Sequence, residues 1–188
     1  MSVLYSLCGY LSLFALMVGL AAIVFRVVIR RQYARRNKLT KLSAFLEFLV
    51  YFVMNYVAYT FMGSDWPAIH MNMGVVFIGS LVGFVGLVIL GFSVSRLGWS
   101  SSLGQSSSWL RQEGLYRYSR NPQLIGYFVF IIGVAILWPA WYHVYWLIQI
   151  LIVSHLMIMT EEEYLQSLYG ETYDQYCRRV PRYLKRLA

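Results

Sequence analysis

Charge is what this chain has least of. Asp, Glu, Lys and Arg make up 13% of its 188 residues, against ~25% in a typical soluble domain. From Pro122 to Thr160 there are 39 residues without one of them. With 59% hydrophobic residues, that excludes an ordinary soluble globule and points to an integral membrane protein. Cysteine is scarce too. Cys8 and Cys177 stand far apart with no C-x-x-C spacing, so neither a disulfide framework nor a zinc site is expected. His70, His143 and His155 lack ligand spacing, and no metal is expected. Cations exceed acids by eight, yet this is no nucleic-acid signature. All 16 Lys and Arg fall in three clusters between apolar runs, which is how membrane topology is written.

Those runs predict an all-α, polytopic fold with about five transmembrane helices, a helical hairpin and a cytoplasmic C-terminal helix, forming one membrane-embedded domain over 1–188. The spans fall at about 3–25, 42–62, 69–95, 123–138 and 140–160. No Lys or Arg precedes the first run and seven follow it, the reverse of a signal peptide, so an uncleaved helix with its N-terminus outside is expected. The second span contains Glu47 about one turn inside its basic boundary. There it could pair with Lys41, reach the interface or act on a substrate, since a membrane carboxylate is a functional candidate by default. Gly63 to Pro67 reads as an external turn. In the third span Gly79 and Gly83 form a G-x-x-x-G pair, which predicts close helix packing rather than a ligand loop. Five crossings put clusters of seven, four and five cations, all 16, on the cytoplasmic side with the C-terminus.

Residues 96–121 form the longest polar stretch, and the serine runs 100–102 and 106–108 read as a linker or a loop closing over a ligand. Pro139 lies near the middle of the uncharged stretch, where a tight turn would bring the Arg120 and Glu161 regions to one membrane face. The residue types there suit a zwitterion that also carries a cation. Glu161 and Glu162 can accept from an ammonium group or ribose hydroxyls, and Arg117 or Arg120 can grip a carboxylate. Tyrosine and tryptophan faces can stack on a purine or a cationic centre. S-adenosylmethionine has all these parts. Taken singly, the glutamates read as a solvated helix turn and Arg120-Asn-Pro122 as a basic anchor opening a helix.

The order and spacing of these residues resemble those of the isoprenylcysteine carboxyl methyltransferase and phospholipid methyltransferase family. The matching positions are Gly114-Leu-Tyr116, Arg120-Asn-Pro-Gln-Leu-Ile-Gly126, Glu161-Glu162, Leu165, Tyr169-Gly170, Tyr173, Tyr176 and Val180-Pro181. The resemblance implies an S-adenosylmethionine pocket built from 109–126 and 157–182 at the cytoplasmic end of the hairpin. Trp109, Leu110, Tyr116, Asn121, Leu124 and Glu161 are its implied contacts, with Arg120, Gly126, Glu162, Tyr173 and Tyr176 on the same motifs. Three positions depart from the family pattern. Asn121 stands where His is usual and Leu124 where Tyr is usual. Met157 replaces an arginine that meets a carboxylate substrate, which leaves an amine, thiol, phenol or lipid headgroup at least as open.

The implied reaction moves a methyl group to a lipophilic acceptor that enters from the bilayer. Glu47, Glu162 and Tyr176 are the candidates for taking a proton, with none singled out. Two alternatives stand beside this reading. One is an NADPH-dependent membrane reductase related to sterol reductases, which are usually longer chains. The other is a non-catalytic membrane subunit of the same fold.

Overall fold

In the computed structural model the described residues are 2–36, 40–64, 72–97, 110, 112–139 and 141–184, with 2–8, 61–64, 97 and 141–142 described as backbone only. In chain order they form α1 (Ser2–Ile23), a π-helical segment (Val24–Ile29), α2 (Arg30–Arg36), α3 (Lys41–Ser64) and α4 (Met73–Leu97). A 3-10 turn (Gly114–Arg117), α5 (Pro122–Leu137), α6 (Trp141–Tyr169) and α7 (Glu171–Arg179) follow. There is no strand among the described residues. Among the described residues, four stretches are long and apolar enough to cross a membrane, Gly9–Arg36, Lys41–Thr60, Met73–Arg96 and His143–Tyr169. The apolar helix α5, at 16 residues, is shorter. It spans about 24 Å, less than a ~30 Å hydrocarbon core.

Several boundaries differ from the sequence reading for local reasons. The first helix does not stop at Phe25 but runs on through the π segment to Arg36. Thr40 opens α3, its hydroxyl accepting from the Ser43 amide at 3.3 Å while Gln32 accepts from the Thr40 amide and hydroxyl. Gly63, expected in a turn, is still helical in α3. Asn72 caps α4 by accepting from the Gly74 amide at 2.9 Å, so that helix starts later than residue 69. Helices α6 and α7 are separated at Gly170. Its φ of 50° is a conformation that glycine adopts without a Cβ clash.

The chain forms two compact units. The first comprises Met1–Asp65 with Trp141–Glu162, the second Trp66–Ala140 with Glu163–Ala188. Within the first, Ala21, Phe25 and Ile29 of the leading helix, Ser43, Ala44, Met54 and Ala58 of α3, and Ile150, Val153, Ser154 and Ile158 of α6 are buried. The opposite face of α3 exposes Phe45, Phe48, Phe52, Tyr56 and Tyr59, an aromatic stripe suited to lipid and costly in water.

In the second unit α4 packs on α5 through glycines. A Cβ on Gly86 would strike the Phe130 amide nitrogen, and one on Gly133 would strike that of Gly83. A Cβ on Gly79 would come within 2.8 Å of the Leu137 side chain. Backbones this close explain the glycine spacing in both helices, because association inside lipid relies on van der Waals contact rather than water exclusion.

Candidate active site

In the second unit, the segment 112–124 is tied to the chain's C-terminal part by bonds that no local pattern announces. Pro122 sits at the first position of α5, where the missing amide costs nothing, and Asn121 precedes it. The Arg120 amide donates to the Pro181 carbonyl at 3.0 Å, and Asn121 Nδ2 donates to the Arg182 carbonyl at 3.0 Å. Ser119 Oγ accepts from the Asn121 amide at 3.1 Å. Arg120 Nη1 donates to Cys177 Sγ at 2.8 Å and lies 3.5 Å from the Tyr173 hydroxyl. The Tyr176 hydroxyl donates to the Tyr116 carbonyl at 2.8 Å, and the Tyr116 hydroxyl to Gln123 Oε1 at 3.1 Å.

Tyr173, Tyr176 and Val180 form a small core on which Leu110, Leu165, Tyr169 and Cys177 pack. Burial holds the Tyr176 phenol well above the usual tyrosine range; the nearby Arg120 charge opposes that shift and Cys177 adds to it. A tyrosine so placed keeps its proton and acts as a donor.

The first unit gathers a second polar group at the α2-proximal end of its helices. Thr160 of α6 is buried and lies 3.2 Å from the Phe25 carbonyl, and Arg26 Nη1 donates to its hydroxyl at 3.3 Å. The Tyr51 hydroxyl is 3.1 Å from Ser154 Oγ and reaches Met157 Sδ at 3.5 Å. Glu47 of α3 is half-buried in the same unit.

The structure thus brings Leu110, Tyr116, Arg120, Asn121, Tyr173 and Tyr176 into one framework in the second unit. Leu124 is buried on the first turn of α5, and Gly126 lies in the glycine contact with α4, its Cβ position 2.9 Å from the Gly86 carbonyl. Glu161 and Glu162 are half-buried on α6 in the last turn of the first unit. Trp109 lies outside the described residues, as do the serine runs 100–102 and 106–108. Sequence reasoning missed Cys177, Ser119, Gln123 and the carbonyls of Pro181 and Arg182. Gln123 and Pro181 lie inside the matching motifs, and Ser119 and Cys177 stand next to them.

Among the described residues, a wholly helical fold with four helices fit to span a bilayer, together with a glycine-packed helix pair and a basic, tyrosine-rich framework, defines a polytopic membrane protein with a built polar site. The chain belongs to the phospholipid methyltransferase family, whose model matches residues 73–172, more than half of its length. Over 76 residues it is 32% identical to the Protein-S-isoprenylcysteine O-methyltransferase of Schizosaccharomyces pombe. That likeness covers 37% of this chain and 30% of the yeast protein, so the chain spans less than a third of that relative. No solved structure matches the chain.

Proposed function

We propose that the protein transfers a methyl group from S-adenosylmethionine to a lipophilic acceptor that reaches it from the bilayer. The observation carrying this reading is the family match over 73–172, which holds the Arg120 motif and the Glu161-Glu162 pair and runs through parts of both compact units. On this reading the two units serve one methyltransferase domain. The spans are five, with the N-terminus outside and the C-terminus and site cytoplasmic, as the distribution of all 16 cations favours.

The donor set fits such a cofactor by its chemistry. Glu161 and Glu162 offer carboxylates to an ammonium group and to ribose hydroxyls. Bound there, the cofactor supplies a methyl group already activated on a sulfonium, which leaves the protein mainly positioning and water exclusion. Arg120, engaged with Cys177 and Tyr173, orients the C-terminal helix rather than gripping a carboxylate directly. Tyr176 is a poor proton acceptor because its hydroxyl donates to the Tyr116 carbonyl. Glu47 and Glu162 therefore remain the acceptors for a proton released by an amine or thiol substrate.

Calorimetry on the detergent-purified protein tests this. S-adenosylmethionine and S-adenosylhomocysteine are expected to bind, and Glu161→Ala to weaken both by roughly 10- to 100-fold, the worth of a charge-assisted hydrogen bond. Binding of NADPH in their place would replace the methyltransferase reading with a reductase.

A further inference from the structure

Thr160 immediately precedes Glu161, and its surroundings go beyond what a helix threonine needs. A threonine within a helix commonly bonds back to the carbonyl four residues earlier, and Thr160 has that option in Leu156 at 3.0 Å. Its hydroxyl also lies 3.2 Å from the Phe25 carbonyl and accepts from Arg26 Nη1 at 3.3 Å. The Phe25 carbonyl can take part because the leading helix changes pitch there. The Arg30 amide bonds back to Phe25, five residues earlier instead of four, and such a widened turn leaves room for a second donor. Phe25 is 0% exposed and Thr160 1%. The contact is therefore dry, and a group left unpaired inside it is costly.

A bond to its own helix alone would add nothing between α6 and the leading helix beyond their apolar packing. The contacts to Phe25 and Arg26 add a directional tie. Successive side chains on a helix stand about 100° apart, so a rotation fixed at Thr160 also aims Glu161. At ~5 Å from the axis a turn of about 10° moves a carboxylate by roughly 1 Å, a misplacement that can lower activity by on the order of 100-fold.

We propose that Thr160, held by the π segment and Arg26, is a positioning residue that sets the direction of Glu161 toward the cofactor. The inference rests on the reading of Glu161 as a cofactor contact. The test is a double-mutant cycle on the full chain in detergent, with S-adenosylhomocysteine binding as the readout. Thr160→Val keeps the shape and removes the hydroxyl, and about a 10-fold loss of affinity is expected. Thr160→Ser, which keeps the hydroxyl, should stay within about 3-fold of the parent. On a Glu161→Gln background the Thr160→Val loss should shrink to less than about 3-fold, because the group it aims has lost its charge. Equal losses on both backgrounds would make Thr160 merely structural and overturn the proposal, as would an unchanged affinity in Thr160→Val. Should Thr160→Val fail to fold, Arg26→Gln replaces it in the same cycle and decides by the same comparison. A parent protein that binds no S-adenosylhomocysteine would defeat the methyltransferase reading and this inference together. A parent that binds it without coupling between the two positions defeats the inference alone.

Discussion

Tyr176 shows how much a single hydroxyl does at the residue scale. It is buried and donates to the Tyr116 carbonyl, so Tyr176→Phe leaves that carbonyl without its donor and should destabilise the protein by about 1–3 kcal/mol. Thermal unfolding of the two proteins in one detergent measures the difference. Its pH dependence has a definite sign. The phenol titrates higher in the folded protein than in the unfolded chain, so its contribution is complete below the unfolded tyrosine value of about 10. It is lost as pH climbs from there through the folded value. The stability gap between parent and Tyr176→Phe should hold constant from pH 7 to about 9 and narrow above about 10. A gap that widened in alkali would show the phenol ionising more easily when folded. Asn121 belongs to the same scale. Its amide is spent on the Arg182 carbonyl, a bond that needs a donor but no charge.

Among the elements, the α4–α5 pair makes the sharpest demand on sequence. Gly86→Ala and Gly133→Ala would each drive a Cβ into backbone of the facing helix, which has no rotamer by which to yield. Each should lower the melting temperature markedly, by the ~1–3 kcal/mol typical of overpacking or more. Gly91, on the same helix α4, has open space where a Cβ would stand, with nothing within 4 Å. Gly91→Ala should therefore be neutral or stabilising by up to about 1 kcal/mol, through helix propensity. Gly170→Ala separates strain from crowding. There is open space around it, but φ 50° with ψ −124° is a region alanine scarcely visits, which costs about 1–3 kcal/mol. That variant should be less stable without any clash. A melting temperature unchanged in Gly170→Ala would mean that the α6–α7 break has another origin.

Topology is the prediction at the scale of the whole molecule. Single cysteines placed at Arg36 and Arg178, both exposed, in a chain with Cys8 and Cys177 changed to serine, should react with a membrane-impermeant maleimide only after the cytoplasmic face is opened. Labelling of either from the outside of intact cells would reverse the proposed orientation. The exposed aromatic stripe of α3 and the apolar surface of α4, with Phe77 and Phe84 outward, are the surfaces that lipid would cover. Their extent follows from a chain in which apolar faces need no water-compatible exterior.

Much of this was legible in the sequence because it depends on local properties. The lengths of the apolar runs, the placing of every cation between them, the glycine spacing of the third span and the proline that opens α5 are each set within a few neighbouring residues. Run length, charge and backbone freedom do not wait on distant contacts. The pairing of Thr160 with Phe25, of Arg120 with Cys177 and of Asn121 with the Arg182 carbonyl was decided only in the tertiary structure. Those partners lie 135, 57 and 61 residues apart, and which distant groups meet depends on how whole helices pack. The π segment belongs there too, since Val24–Ile29 has no proline or glycine to mark it, and the Phe25 carbonyl finds its second partner only in the packed helix pair. Gly170 stands between the two. Its freedom of conformation was written in the chain, but the helical period runs through it, and only the packing of Tyr173, Tyr176 and Val180 shows that the freedom is used.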